Sequence, residues 1–293
     1  MAVYDQTYRP YSGELTPART RFLIIPRYAY RDIFQSKLFT AFFALSFICP
    51  LVMAILIYLH HNVAALKILQ INLSNIVPID GSFFLAFFNA QQTFAFILTI
   101  LIGPVLISRD VANNALPLYL SRPFSRAEYV AGKMNVLAIM ISAITWAPGL
   151  LLFLFQSYLE GAGWLGRNLW IAGALILASV AWIVTLTLVA MAISAWVKWR
   201  LAASCAVFAV FVIPGIVAQT INLLFKTWWG NIFSLSDLMR FLVYNMFREP
   251  IGFGGGNKMT AFAILVHWLT LFAAWGICLF VLTRKVRAYE VVR

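Results

Sequence analysis

The sequence predicts an all-α polytopic membrane protein with six transmembrane helices. Of its 293 residues, 62% are hydrophobic and only 11% are charged, a balance that excludes an ordinary soluble domain. Six apolar runs divide the chain, and each has the length of about 20 residues or more that is needed to cross a hydrocarbon core of about 30 Å. The spans are expected at about 38–59, 83–107, 130–157, 169–197, 201–224 and 259–282.

The positions of the 22 Lys and Arg residues set the expected orientation. If the termini and alternate connections share one side of the membrane, 16 of the 22 cations lie on that side. Connections rich in Lys and Arg face the cytoplasm, so both termini are expected to be cytoplasmic, with the protein in the inner membrane. The first thirty residues contain Asp5 and Glu14 and lack a short apolar core, so no cleavable signal is expected. Topology explains the net charge of +12, and no nucleic-acid partner is expected.

The chain begins with two short elements before the first span. Residues 1–20 show no apolar periodicity and are predicted to form an extended or disordered tail. Residues 21–37 carry apolar and basic faces at helical spacing, which predicts an amphipathic helix at the bilayer surface, bent or divided at Pro26. A basic flank of the first span is the alternative interpretation. The remainder, 38–293, is predicted to be a single transmembrane domain.

Three of the spans contain helix-breaking pairs: Gly103-Pro104, Pro148-Gly149 and Pro214-Gly215. A kink inside a membrane persists only where neighbouring helices or water satisfy the freed carbonyls, so these pairs predict a packed bundle. Static kinks and moving hinges both remain open at these positions.

The segment 225–258 is too apolar for a solvated loop, yet Asp237, Arg240 and Arg248 prevent a seventh crossing. It is predicted to form one or two helices that are re-entrant or lie in the outer interface. Its function is either a substrate gate or a lid that covers the bundle. The candidate gate or lid residues are Trp228, Trp229, Phe233 and Phe241.

No catalytic constellation is found, so the chain is not expected to be an enzyme or to bind a cofactor or metal itself. His60 and His61 are adjacent and cannot share a helical face, and His267 lies inside the last span. The run around Lys258 lacks the order of residues in a phosphate loop. Ionisable groups are nearly absent from the spans, which disfavours an ion-coupled carrier. Any energy for transport must therefore come from another chain.

The most densely patterned polar stretch runs from Ser108 to Lys133, with the loop itself at 108–129. Asn114 is predicted to cap a short helix on which Leu116, Tyr119 and Leu120 share one apolar face. An aromatic anchor with a polar rim is typical of an interface, which favours docking to a partner. Packing on the protein's own bundle is the alternative.

The next helix has its own start signal. Ser125 and Glu128 form the S-x-x-E pattern of a capping box, which predicts that the third span begins here.

The layout of six spans, a preceding amphipathic helix, a patterned cytoplasmic loop and a semi-apolar outer loop resembles the permease subunits of ABC-2-type exporters, which are type V exporter-like. The stretch I-S-R-D-x-x-x-N-A-L-P-L-Y-L-S-R-P-F-S-R-x-E-Y-x-x-G-K, from Ile107 to Lys133, is similar to that family's coupling-helix loop. The resemblance implies ATP-driven export of a substrate. A non-transporting membrane scaffold that recruits a cytoplasmic partner is the alternative function.

The resemblance also implies partners. The chain would be half of a transmembrane dimer with a copy of itself or a close relative, surrounded by membrane lipid. A separate cytoplasmic ABC ATPase would bind ATP and Mg²⁺. The short helix at about 114–121 would insert into a groove on that ATPase and tilt the third span against the second. The polar contacts around it would be Arg109, Asp110, Arg122 and Arg126.

Overall fold

The computed structural model describes residues 24–62, 78–113, 126–225, 229–250 and 261–285, and every regular element in these ranges is helical. The α-helices are α1 Ile24–Phe34, α2 Lys37–Leu45, α3 Ile48–His61, α4 Gly81–Ala112, α5 Arg126–Ile144, α6 Trp146–Glu160, α7 Ala162–Trp196, α8 Arg200–Phe225, α9 Leu235–Met246 and α10 Ala261–Lys285; a 3₁₀ helix spans Trp229–Phe233.

Within these ranges, six segments are long and apolar enough to cross a membrane, which confirms the prediction of a multi-pass helical protein. The segments are Lys37–His61, Gly81–Pro104, Ala127–Glu160, Ala162–Trp196, Arg200–Phe225 and Ala261–Arg284. The fourth begins at Ala162, directly after Gly161, whose φ of 98° suits glycine and lets the chain reverse between α6 and α7.

The helix α7 is the centre of the bundle. It contacts α4, α5, α6 and α10, and most of its side chains are buried. By contrast, α3 and α10 bury few of their apolar side chains, as expected for helices at the periphery of a membrane bundle.

The first and third spans are each built from two helices. The first breaks after Leu45, where the Ser46 hydroxyl donates to the Phe43 carbonyl at 2.6 Å. The third breaks at Thr145, whose hydroxyl donates to the Ile141 carbonyl at 2.8 Å. Pro148 therefore lies in the first turn of α6, where a missing N–H costs little.

Pro26 is the third residue of α1 as described, and the helix continues past it to Phe34; the expected bend or division at Pro26 stays a prediction, because residues 21–23 lie outside the described ranges. The chain breaks at Gln35 and Ser36. There the Ser36 hydroxyl caps α2 by accepting a hydrogen bond from the Phe39 N–H at 3.4 Å.

Pro104 and Pro214 lie inside α-helices, beyond the first turn, and a neighbouring helix satisfies the carbonyl freed by Pro104. Pro104 has no N–H, so the Ile100 carbonyl lacks its helical donor, and the Ser204 hydroxyl of α8 donates to it at 3.0 Å. On α8 the carbonyl that Pro214 leaves without a helical donor is that of Val210, and the Ser236 hydroxyl of α9 donates at 2.9 Å to the adjacent Phe211 carbonyl. The contact at Pro104 is of the kind that the packed-bundle prediction requires.

Replacing Ser204 with alanine is expected to lower the free energy of unfolding by about 1 kcal/mol, because the Ile100 carbonyl loses its donor. In a Pro104→Ala background the restored N–H can serve that carbonyl, so the same change should cost less. A thermal-unfolding comparison of the four proteins measures this coupling. Equal costs in both backgrounds would contradict the assigned hydrogen bond.

The outer segment is helical in its described part, as predicted, with the 3₁₀ helix Trp229–Phe233 followed by α9. The Ser234 hydroxyl caps α9 by accepting from the Asp237 N–H at 3.2 Å. The helix then packs against α7, α8 and α10. The buried apolar side chains of α9 are therefore part of the bundle, and this part of the outer segment is not a solvated loop.

Candidate functional site

A buried ion pair joins the two helices on either side of the patterned loop. Near the end of α4, Asp110 Oδ2 lies 2.9 Å from Lys133 Nζ in the second turn of α5. The Tyr129 hydroxyl donates to the same carboxylate oxygen at 2.6 Å. The Lys133 ammonium also lies 5.7 Å from the centre of the Tyr129 ring, within cation–π range. We name Asp110, Tyr129 and Lys133 the junction cluster.

Burial makes these three side chains mutually dependent. Tyr129 is fully buried, Lys133 is 8% exposed, and the Asp110 side chain is largely buried, with 16% exposed. A charge removed from water is tolerated when an opposite charge and hydrogen bonds replace the water, and Asp110 receives both here. Each member therefore fixes the positions of the other two.

Apolar contacts extend the junction cluster to two more helices. The Tyr129 ring belongs to a small hydrophobic cluster with Met191 and Ala195 of α7 and Leu282 of α10. The ends of α4, α5, α7 and α10 consequently meet around one aromatic ring.

The last turns of α4 are also attached directly to α7. The Ser194 hydroxyl of α7 shares its hydrogen between the Ala190 carbonyl of its own helix, at 2.5 Å, and the Gly103 carbonyl, at 3.2 Å. The Ser108 hydroxyl donates to the Pro104 carbonyl within α4. A methyl group added to Gly103 would lie 2.7 Å from the Ala190 Cβ, closer than two such carbons can approach. This contact requires glycine because the two helix backbones are so close.

The first helix is attached to α5 by a tyrosine. The Tyr30 hydroxyl donates to the Val136 carbonyl at 3.3 Å. Burial raises the pKa of Tyr30 to about 12, so its hydroxyl stays protonated and able to donate at physiological pH. The contact holds α1 beside the third span; its predicted place at the bilayer surface stays a prediction.

The predicted docking residues are only partly within the described structure. Asp110 is directed towards Lys133 and Tyr129, so its expected contact with an ATPase stays a prediction. Glu128 lies in the first turn of α5, half-buried. Arg109 and Arg126 lie within α4 and α5, with their side chains outside the described part. Asn114, Leu116, Tyr119, Leu120, Arg122 and the capping Ser125 lie outside the described residues.

Tyr129 and Lys133 were not among the predicted site residues, although the sequence contains a signal for both. A lysine inside an expected span is costly in a membrane and requires a partner. Tyr129 stands four residues earlier, on the same helical face, and Asp110 is the nearest acidic residue at the end of the preceding span. Together these features would have predicted the junction cluster.

The candidate gate or lid residues do not come together where they are described. Trp229 and Phe233 are exposed, whereas Phe241 is buried and stacks on His267 of α10, with ring centres 3.9 Å apart. Trp228 lies outside the described residues. Phe241 therefore packs inside the bundle, while the two described aromatic residues of the 3₁₀ helix cover its surface.

The adjacent histidines lie at the other end of the bundle. His61 Nε2 is 2.8 Å from Glu160 Oε2, a contact that joins the end of α3 to the end of α6. In the described ranges, no three His, Cys, Asp or Glu side chains are grouped as a metal site.

No protein-family model matches this chain, and no curated protein matches it. The resemblance to exporter permeases therefore rests on the layout and on the residues from Ile107 to Lys133.

Proposed function

We propose that this protein is the transmembrane permease subunit of an ABC exporter, driven by ATP that a separate cytoplasmic ATPase hydrolyses. Two copies, or one copy and a close relative, form the pathway. The loop at 108–129 receives force from the ATPase, and the junction cluster passes that force into the bundle. Orientation with both termini in the cytoplasm belongs to the same proposal.

The observation that carries the proposal is the buried Lys133–Asp110–Tyr129 contact. A loop that only connects two spans needs no buried ion pair across its base, and taking two charges out of water carries a large desolvation cost. Here Tyr129 and Lys133, after the loop, both bind one carboxylate oxygen of Asp110, before the loop, so the two flanking helices are joined. A push on the loop therefore acts on both flanking helices.

This contact changes the expected movement. With α4 and α5 joined at their loop ends, the third span does not tilt alone against the second; the two move together at that end. The break at Thr145 allows α5 to change its angle to α6 without bending a continuous helix. Closure of two ATPases would then shift the population between two arrangements of the dimer.

Replacing both Tyr119 and Leu120 with glutamate is expected to abolish ATP hydrolysis by the purified complex, because two charges would occupy the apolar face that docks on the ATPase. The measurement is vanadate-sensitive ATP turnover after mild extraction of the tagged chain with its partner. Membrane insertion and the elution volume of the chain should be unchanged, because both changes lie outside the spans.

Tyr289→Glu is the matched control, since it adds a carboxylate to the C-terminal segment predicted to share the same side of the membrane. It should retain turnover. Unchanged turnover in the double variant would remove the coupling role of the loop. If no ATPase copurifies under mild extraction, the scaffold function is favoured instead.

A further inference from the structure

A carboxylate is buried against the middle of a membrane-spanning helix. Asp237 of α9 is 6% exposed, and its Oδ2 atom is enclosed without a hydrogen-bond partner in the described structure. A methyl group added to Gly215 of α8 would lie 3.5 Å from that oxygen. The carboxylate therefore faces the α8 backbone directly beside Pro214.

The depth of this contact sets its importance. Gly215 is fifteen residues from Arg200 and ten residues from Phe225, so it lies near the middle of the described α8. In a span that crosses a core of about 30 Å, this is near the midplane. Ionisable groups at such depth are rare and commonly bind protons, ions or substrates. The sequence assigned Asp237 to an outer connection and did not predict this position.

Further oxygen atoms surround the same point. The methyl group imagined on Gly215 would lie 3.3 Å from Ser236 Oγ and 3.5 Å from Ser234 Oγ. The two serine oxygens are 3.0 Å apart, and Ser236 donates its hydrogen to the Phe211 carbonyl. Ser234 therefore donates to Ser236, while also accepting from the Asp237 N–H.

This hydrogen-bond pattern leaves the two serines with lone pairs, and no hydrogens, to offer the carboxylate. A hydroxyl has one hydrogen and two acceptor positions. Both serine hydrogens are used, and each serine oxygen retains one free lone pair. Asp237 Oδ2 and the two serine oxygens thus all lie within 3.5 Å of the Cβ position of Gly215, and none of the three has a free hydrogen. Such an arrangement attracts a cation.

We propose that Asp237, Ser234 and Ser236 bind a small monovalent cation, of which Na⁺ is the test case. Oxygen ligands suit hard cations, and a carboxylate buried at the depth of a membrane span is a common setting for ion binding. One carboxylate neutralises one positive charge, whereas a divalent ion would leave a net charge buried in low dielectric. The proposal does not depend on the export function.

The test is the thermal unfolding of the purified full-length protein in detergent, with NaCl exchanged for N-methyl-D-glucamine chloride at constant ionic strength. Sodium is expected to raise the unfolding temperature saturably, by about 5 °C, because it binds only the folded state. Potassium should act less strongly because of its size.

Two variants locate the effect. Asp237→Asn should remove the sodium response and be at least as stable as the native protein without sodium, because the uncompensated charge is gone. Gly215→Ala keeps the carboxylate but places a methyl group among its oxygens, so it should also lose the response. Asp80→Asn is the matched control: this carboxylate accepts from Ser82 at the start of α4, and the sodium response should persist.

Three results would overturn the proposal. Equal unfolding temperatures in both salts would show that no cation site exists. Stabilisation by acid without any cation dependence, lost in Asp237→Asn, would mean that a proton neutralises the carboxylate. An equal loss of stability in every salt on changing Asp237 would assign it a structural role towards its own helix, where Arg240 lies one turn away.

Discussion

The Lys133→Met variant is expected to lose about 3–5 kcal/mol of stability, because it leaves the Asp110 carboxylate buried without its counter-charge. Methionine preserves most of the side-chain volume, so the loss is electrostatic and does not arise from a cavity. The unfolding temperature in detergent should fall by about 10 °C. Intrinsic tryptophan fluorescence during heating measures it.

The control variant distinguishes the loss of a buried, paired lysine from the loss of an exposed lysine. Lys198→Met removes a lysine outside the buried core, on the same predicted side of the membrane, and should change the unfolding temperature little. The double variant Asp110→Asn with Lys133→Met should recover most of the loss, because no charge is then left unpaired. Equal losses for the Lys133 and Lys198 variants would contradict the junction cluster.

The same double variant tests transmission separately from folding. On the proposed function, it should insert and bind the ATPase partner, since the proposed docking residues of the loop are unchanged. The ends of α4 and α5 would then be held by a weaker, uncharged hydrogen bond between the Tyr129 hydroxyl and the amide introduced at position 110. We therefore expect reduced ATP turnover in the assembled complex. Normal turnover would show that the charged contact serves stability alone.

The six spans could be predicted from the sequence because length and apolarity are local properties. The breaks after Leu45 and at Thr145 were not predicted, although Pro50 and Pro148 follow them within five residues. At each break a hydroxyl bonds to the carbonyl three or four residues earlier, but serine and threonine also do this in unbroken helices. Proline at 148 drew attention to the correct region, but the break occurs three residues earlier.

The candidate sites show the same limit. The pattern from Ser108 to Lys133 could be recognised in the sequence, and the junction cluster could be partly predicted because a lysine in a span needs a partner. The surroundings of Asp237 could not be predicted, because they depend on the tertiary packing of α9 against Gly215. A segment between two spans gives no local signal of how deeply it enters the bundle.

Gly103→Ala is expected to cost about 2–3 kcal/mol of stability, although alanine is intrinsically the better helix former. The added carbon would lie 2.7 Å from the Ala190 Cβ, and that atom cannot rotate away because it is fixed to the α7 backbone. The helices α4 and α7 must separate, which also lengthens the hydrogen bond from Ser194 to the Gly103 carbonyl. Thermal unfolding measures the loss.

Gly173→Ala is the matched control. This glycine lies in α7 with open space around its Cβ position, so alanine there should be neutral or stabilise by up to about 1 kcal/mol. The two substitutions are chemically identical, so the opposite signs isolate the close approach. If both variants were equally stable, α4 and α7 would not be in contact at Gly103.

The decisive version exchanges the two side chains. In Gly103→Ala combined with Ala190→Gly, one methyl group still occupies the contact, now carried by α4 and not by α7. The double variant should recover most of the stability lost in Gly103→Ala, less the cost of about 1 kcal/mol for a glycine in α7. Recovery requires that the two positions face each other across one contact, because separate sites would add their costs. Since this contact lies two turns from Asp110, it also sets how firmly α4 holds the junction cluster against the bundle.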